Sequence, residues 1–129
     1  MDPKEASESE WIKKLSPHQF HILRERGTET PFSGKYVKFD EEGTYECAAC
    51  KNLLFKSVHK FDSDTGWPSF FDAVLENIEL REDNSLGAPR TEVACKNCGS
   101  HIGHVFDNGP EPTKKRYSVN SVALSFKKD

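Results

Sequence analysis

Residues 91–106 read Thr91-Glu-Val-Ala-Cys-Lys-Asn-Cys-Gly-Ser-His-Ile-Gly-His-Val-Phe106. This stretch carries a short β-type run (91–94), a Cys-x-x-Cys turn relieved by Gly99, and a second β-type run (104–106). A matching turn, Cys47-Ala-Ala-Cys50, follows another such run at 44–47. Two intervening residues let both sulfurs of a pair face one point. Four thiolates at about 2.3 Å then complete the tetrahedral shell of a structural Zn²⁺. Residues 51–94 separate the two pairs, so the metal must join segments far apart in the chain. Two disulfides, or one pair acting as a redox couple, are the chemical alternatives. Spacing and compartment favour a single zinc held by Cys47, Cys50, Cys95 and Cys98. His101 and His104 continue the spacing of Cys95 and Cys98 and could form a Cys₂His₂ set with them. That set would strand Cys47 and Cys50, which leaves both histidines available for other chemistry.

Working outward, the 129 residues are enough for one domain. We expect a helical arm over 1–27 that belongs to the same domain as a zinc-containing β unit over 28–129. Apolar residues make up 35% and charged residues 30%, a thin supply for a core and a reason for a metal crosslink. The net charge of -3 and the absence of a basic stripe argue against a nucleic-acid partner. The opening MDPKEASESE is not a secretory leader, and no apolar run nears the roughly 20 residues that span a bilayer. The expectation is a cytoplasmic monomer with no membrane partner.

Along the chain, Ser7 and Glu10 fit a capping box ahead of a short helix through Trp11, Ile12 and Leu15. Ser16, Pro17 and Gln19 predict a second helix with Phe20 and Leu23 on its apolar face and Gly27 as its C-cap. Beyond Thr28 the pattern turns to short runs at 35–39, 44–47, 91–94, 104–106 and 117–126. Alternation in the last run predicts one long strand. Turns are expected at 85–89 and 107–110, and a further short helix at 72–78. The fold class is therefore mainly β, with short N-terminal helices and one structural zinc site.

Three segments exceed what packing requires: Thr65-Gly-Trp-Pro-Ser-Phe70, His101-Ile-Gly-His-Val-Phe106 and Arg116-Tyr-Ser-Val-Asn-Ser121. Singly, Trp67 reads as core, either histidine as a hydrogen-bonded structural residue, Arg116 as a surface ion pair and Asn120 as a strand-edge amide. In this order around two Cys pairs, the set resembles the B family of methionine sulfoxide reductases from about Ser16 to Phe126. The resemblance implies two antiparallel sheets with N-terminal helices, a zinc remote from the reactive centre, and a reductase domain over 28–129. It implies reduction of the R epimer of methionine sulfoxide in proteins or peptides, with thioredoxin or a similar thiol as electron donor. Trp67 would wall the pocket for the substrate's ε-methyl group, with Phe106 also contacting substrate. His101 and His104 would orient the sulfoxide and protonate its oxygen, while Asn120 and Arg116 complete the polar network. Elementary chemistry agrees: the oxygen needs a proton, which His supplies near neutrality, and a methyl–sulfur group suits an aromatic face.

Ser118 departs from the pattern, because the family carries its nucleophilic Cys there. A serine hydroxyl scarcely ionises at pH 7 and has no counterpart to the thiolate-to-sulfenic-acid step. The chain is therefore expected to be inactive, through an engineered change or as a paralogue that lost catalysis; the intact remainder of the site favours the former. Thr65 stands where many relatives place a resolving Cys, and Asn108 replaces a common acidic residue, with a minor effect expected. The alternative function is a non-catalytic zinc β-domain that binds oxidised methionine or a protein partner.

Overall fold

Two antiparallel sheets meet face to face in the computed structural model, which describes residues 8–84, 87 and 89–128. The smaller sheet has the order β2 (Leu53–Lys56), β1 (Gly43–Cys47), β9 (Leu124–Lys128). The larger has the order β3 (Lys60–Phe61), β4 (Ser69–Phe70), β8 (Arg116–Val119), β7 (His101–Phe106), β6 (Arg90–Cys95), β5 (Ile78–Asp83). Both are antiparallel throughout. The mainly β class with few helices is thus observed.

Rings join the sheets. Phe55 of β2 stacks on Phe70 of β4 at 4.5 Å between centroids, Tyr45 of β1 meets Phe70 edge-on at 5.1 Å, and Tyr117 of β8 approaches Phe55 at 6.0 Å. Tyr45, Phe55 and Phe70 are fully buried. Offset and edge-on pairs add to simple burial, so a few aromatics supply the core that a modest apolar content would otherwise leave thin. The Tyr45 hydroxyl is carried inside with its ring, and burial pushes its pKa up to about 12.

Helices α1 (Glu8–Lys14) and α2 (Pro17–Arg24) pack on this body. Ser16 and Gln19 exchange hydrogen bonds in a complete capping box with Pro17 behind it, as expected. Ser7, the proposed cap of α1, lies outside the described residues. Ile22 and Leu23 are fully buried, and Trp11 is buried under the Arg24 guanidinium, 4.9 Å from its ring. Ile12, by contrast, points to solvent. Gly27 is not the C-cap: Glu25 holds that position and Arg26 takes the left-handed conformation (φ 57) instead. Among the described residues no helix is long and apolar enough to cross a membrane.

Three other expectations fail. Residues 117–126 form two strands in different sheets, because a 3-10 turn at Ser121–Ala123 interrupts them. Asn120, Ser121, Ala123 and Leu124 are all buried, so alternation breaks where the chain crosses between sheets. Residues 35–38 are a turn, with Tyr36 N–H donating to Ser121 Oγ at 3.1 Å, so no sheet takes up this backbone. The helix expected over 72–78 shrinks to a 3-10 turn at Leu75–Asn77 ahead of β5. Of the two predicted turns, 85–89 falls partly on residues outside the described set, yet Gly87 N–H reaches the Asn84 carbonyl at 3.1 Å between β5 and β6. The other, 107–110, leads from β7 into a turn at 111–113.

Truncating the central ring tests this packing. Phe70→Ala should destabilise the fold by roughly 3–5 kcal/mol in denaturant titration, the usual cost of deleting a fully buried Phe. A loss below about 1 kcal/mol would mean the sheets are held by something else.

Candidate functional site

The four cysteines come together across the two sheets. Cys47 ends β1 and Cys95 ends β6, so each Cys-x-x-Cys turn caps a strand of a different sheet. All four Sγ atoms lie within 4.8 Å of one another. Two short contacts cross between the pairs, Cys47–Cys98 at 3.7 Å and Cys50–Cys95 at 3.5 Å. A disulfide needs about 2.05 Å, whereas a tetrahedron with metal–sulfur bonds of about 2.3 Å has edges near 3.8 Å. The donor set therefore fits one four-coordinate metal, and none of the cysteines is in a disulfide.

The two turns are near copies. Cys47 N–H donates to the Asn52 carbonyl and Lys51 N–H to the Cys47 carbonyl, both at 2.8 Å. Cys95 N–H donates to Ser100 and Gly99 N–H to Cys95, at 2.9 and 2.7 Å. Lys51 (φ 68) and Gly99 (φ 77) occupy the equivalent left-handed position. Outer contacts brace the cluster: Arg24 Nη1 donates to the Cys98 carbonyl at 2.9 Å, and Asn52 Nδ2 approaches Cys95 Sγ at 3.6 Å. Such second contacts orient metal ligands.

A separate cavity of about 230 Å³ opens on the larger sheet, lined by Trp67, His104, Phe106, Arg116, Ser118 and Asn120 among others. Strand register explains the grouping. His104 lies directly opposite Ser118 and Phe106 opposite Arg116, so these four side chains form one patch on one face. Tyr117 and Val119, one residue out of phase, enter the core. Gly103 is required between them, since a Cβ there would strike the Ser118 carbonyl. The Arg116 guanidinium lies 4.5 Å from the Phe106 ring, and its Nε donates to Asn108 Oδ1 at 2.9 Å. Asn108 is thus the partner of Arg116, and it offers a neutral acceptor.

Trp67 and Asn120 are fixed through a single residue. Trp67 Nε1–H donates to the Glu29 carbonyl at 3.0 Å, and Glu29 N–H donates to Asn120 Oδ1 at 3.0 Å. The Asn120 Nδ2 donates to the Ile102 carbonyl at 3.1 Å. Asn120 therefore uses both ends of its amide to hold the 28–34 segment to the sheet.

His101 and His104 are three residues apart and would face opposite sides of a regular strand. The register of β7 slips against β6 between Val93 and Ala94, so that Gly103 and His101 face successive residues of β6. This bulge turns both imidazoles the same way, with ring centroids 5.3 Å apart. His104 lines the cavity, while His101 lies behind it and is 3% exposed.

Two carboxylates absent from the sequence reading complete this cluster. His101 Nδ1 lies 2.6 Å from Glu92 Oε2, and His104 Nε2 lies 2.7 Å from Asp83 Oδ2. Both acids are buried, and Arg26 and Arg90 compensate them: Arg26 reaches Glu92 at 3.2 Å and Asp83 at 3.4 Å, and Arg90 reaches Asp83 at 3.2 Å. Neither acid sits in a spacing motif; Glu92 opens the buried run of β6, where an ionised side chain needs partners. Burial pushes the His104 pKa down, partly offset by the Asp83 hydrogen bond. Burial alone would raise Glu92, but the hydrogen bond and charge of His101, with Arg26, carry it below its ordinary value.

The sequence now has a measured context. The family described as SelR domain matches residues 15–128. The chain belongs to the SelR family. Among SelR relatives, "Peptide methionine sulfoxide reductase MsrB" of Methanosarcina barkeri (strain Fusaro / DSM 804) is 55% identical over 124 residues, 95% of this chain and 87% of the relative. "Methionine-R-sulfoxide reductase B2, mitochondrial" of Rattus norvegicus is 51% identical over 129 aligned positions, covering 94% of this chain and 74% of the relative. The SelR fold also superposes on the crystal structure of the Mis18 "Yippee-like" domain, with a TM-score of 0.56 over 69% of this chain and 98% of that one. At 17% identity that likeness shows the fold alone.

The buried pairs set a pH dependence. Both pKa values are depressed in the folded state, so each group contributes stability that is present at high pH and lost on acidification. The loss begins with His104 as pH falls below its ordinary 6.5, and Glu92 follows below 4.5. The thermal midpoint should therefore fall between pH 7.5 and 5, and His104→Gln should flatten that slope. A slope unchanged in the variant would show that His104 is not the group that sets it.

Proposed function

We propose that this chain is built to reduce the R epimer of methionine sulfoxide in proteins to methionine, and that Ser118 disables the chemical step. The reading rests on one juxtaposition: Ser118 sits directly across the strands from His104, in a cavity walled by Trp67 and Phe106. A thiolate at position 118 would attack the sulfoxide sulfur. The oxygen takes up a proton as its bond to the substrate sulfur breaks. It is then delivered to the cysteine sulfur as sulfenic acid, while the transient sulfur–sulfur bond breaks and methionine leaves as the thioether. That transfer needs a proton for the oxygen, and His104 is the imidazole that lines the cavity; its lowered pKa makes the protonated ring the stronger acid, and Asp83 would hold that ring in place. Asp83 and Glu92 would orient the two imidazoles, and Arg116 would lower the pKa of the thiol. Two external thiols return the sulfenic acid to thiol, releasing water and a disulfide. A thioredoxin-type donor fits this role, because Thr65 lines the cavity where a resolving cysteine would stand.

Serine provides none of this. Its hydroxyl keeps its proton at pH 7 and cannot accept the oxygen in a reversible step. The remaining pocket should still bind substrate. The non-catalytic reading, a zinc β-domain recognising oxidised methionine or a protein partner, shares that pocket and differs in what a restored cysteine would do. We further propose a cytoplasmic monomer, with residues 1–27 part of the same domain as 28–129.

We assign the four-cysteine site to one structural Zn²⁺. Four thiolates leave no position for a reacting water, and the site caps strands instead of lining the cavity. Elemental analysis should find one zinc per chain, and chelation should unfold it, since structural zinc is worth about 10–16 kcal/mol in small peptides. A metal-free protein, or a native fold that survives chelation, would contradict the assignment.

The functional reading is tested by reversal. The chain with Ser118 should show no detectable reduction of either epimer. Ser118→Cys should reduce the R epimer with dithiothreitol and leave the S epimer untouched. A revertant inactive on both, with its fold intact, would leave the binding-module reading in place.

A further inference from the structure

The segment that supports Trp67 also holds an aromatic ring in water. Among the described residues five large apolar side chains are exposed: Ile12, Phe32, Val58, Leu75 and Leu80. Of these, Phe32 alone has a positive φ, at 64. A bulky L residue in the left-handed region is strained, and strain of that kind persists where surrounding structure imposes it. The imposing contacts are visible. Phe32 N–H donates to the Gly66 carbonyl at 2.7 Å, three residues after the Glu29 carbonyl receives Trp67 Nε1–H.

These contacts fix where the ring lies. A Cβ added to Gly66 would come within 2.9 Å of Phe32 Cδ2 and 2.6 Å of Pro31 Cβ. The Phe32 ring is therefore laid against the backbone between Thr65 and Trp67, both of which line the cavity. It is nonetheless 63% exposed, whereas Phe55 and Phe70 are fully buried. Neither core formation nor backbone preference accounts for a strained, exposed ring at this place. Phe32 lies just outside the cavity lining, whose apolar rings are Trp67 and Phe106 and which also carries the polar Thr28, Arg90 and Arg116.

We propose that Phe32 is a second recognition subsite, the platform for an apolar side chain next to the oxidised methionine of a polypeptide substrate. The inference rests on reading the cavity as the methionine-sulfoxide site. A cavity of about 230 Å³ has room for one side chain, so neighbouring residues of a polypeptide must cross its rim. An aromatic or large aliphatic neighbour finds a ring face at Phe32. A glycine or acidic neighbour finds nothing there to bury.

The test uses the full chain with Ser118 in place, which separates binding from turnover. Two short capped peptides carrying methionine-R-sulfoxide, one flanked by Phe and one by Gly, are titrated by calorimetry or NMR. The Phe-flanked peptide should bind roughly fivefold more tightly, the size of one aromatic contact. Phe32→Gly removes the ring and suits the left-handed backbone. It should bind the two peptides within about twofold of each other and melt at no lower temperature. Equal binding by the unaltered chain, or a preference that survives Phe32→Gly, overturns the proposal. A lowered melting temperature accompanying the lost preference assigns the ring to the fold instead, and also overturns it. If neither peptide binds, the subsite is rejected, while the activity of Ser118→Cys decides separately whether the reductase reading stands.

Discussion

Four sulfur atoms converging on one point determine how the rest of the molecule is arranged. One pair ends a strand of the small sheet and the other ends a strand of the large sheet, so their closure fixes one sheet against the other. A single metal held there would contribute a free energy comparable to the whole net stability of about 5–15 kcal/mol expected of such a domain. The aromatic stack of Phe55 on Phe70 then fills a gap whose width is already set. The same constraint reaches the cavity through the chain. β7 begins three residues beyond Cys98, and its bulge brings His101 and His104 onto one face. The metal site and the cavity are thus chemically separate and mechanically continuous.

Around the histidines the protein maintains an interior charge cluster. Glu92 and Asp83 are nearly inaccessible, and each is held by one imidazole and at least one guanidinium. Removing charges from water is costly, and clusters of this kind add little net stability. Their value lies in orientation, because an imidazole held at one nitrogen presents the other in a fixed direction. The cluster, the Asn120 amide and the Glu29 backbone all converge on the side chains that line the cavity.

Much of this was readable from residue order. The Cys spacing identified the four thiols that converge, and Ser16-Pro-His-Gln19 identified the start of α2, because both are local motifs whose geometry a few residues dictate. The cavity residues were legible as a motif set, and register explains why they meet: His104 and Phe106 face Ser118 and Arg116 two by two. Two of the misreadings share one cause. Period-2 alternation at 117–126 continues through a crossing between sheets, and Tyr36 with Val37 mimics a strand while burying against Ser121 from a turn. In both cases tertiary contacts decide the backbone. Asp83 and Glu92 were missed because a lone acid in a charged-rich sequence carries no spacing signature. Only the β5–β6–β7 pairing brings them beneath the histidines.

The central claim is that the cavity is a reductase site lacking only its sulfur. Its most direct measurement is the mass of Ser118→Cys after one equivalent of methionine-R-sulfoxide, without reductant. With Thr65 unable to resolve the intermediate, the account predicts a gain of one oxygen on the introduced thiol, trapped by a sulfenic-acid reagent, with all four metal-site cysteines unmodified. An unchanged mass, or a disulfide between position 118 and one of the four cysteines, would contradict it.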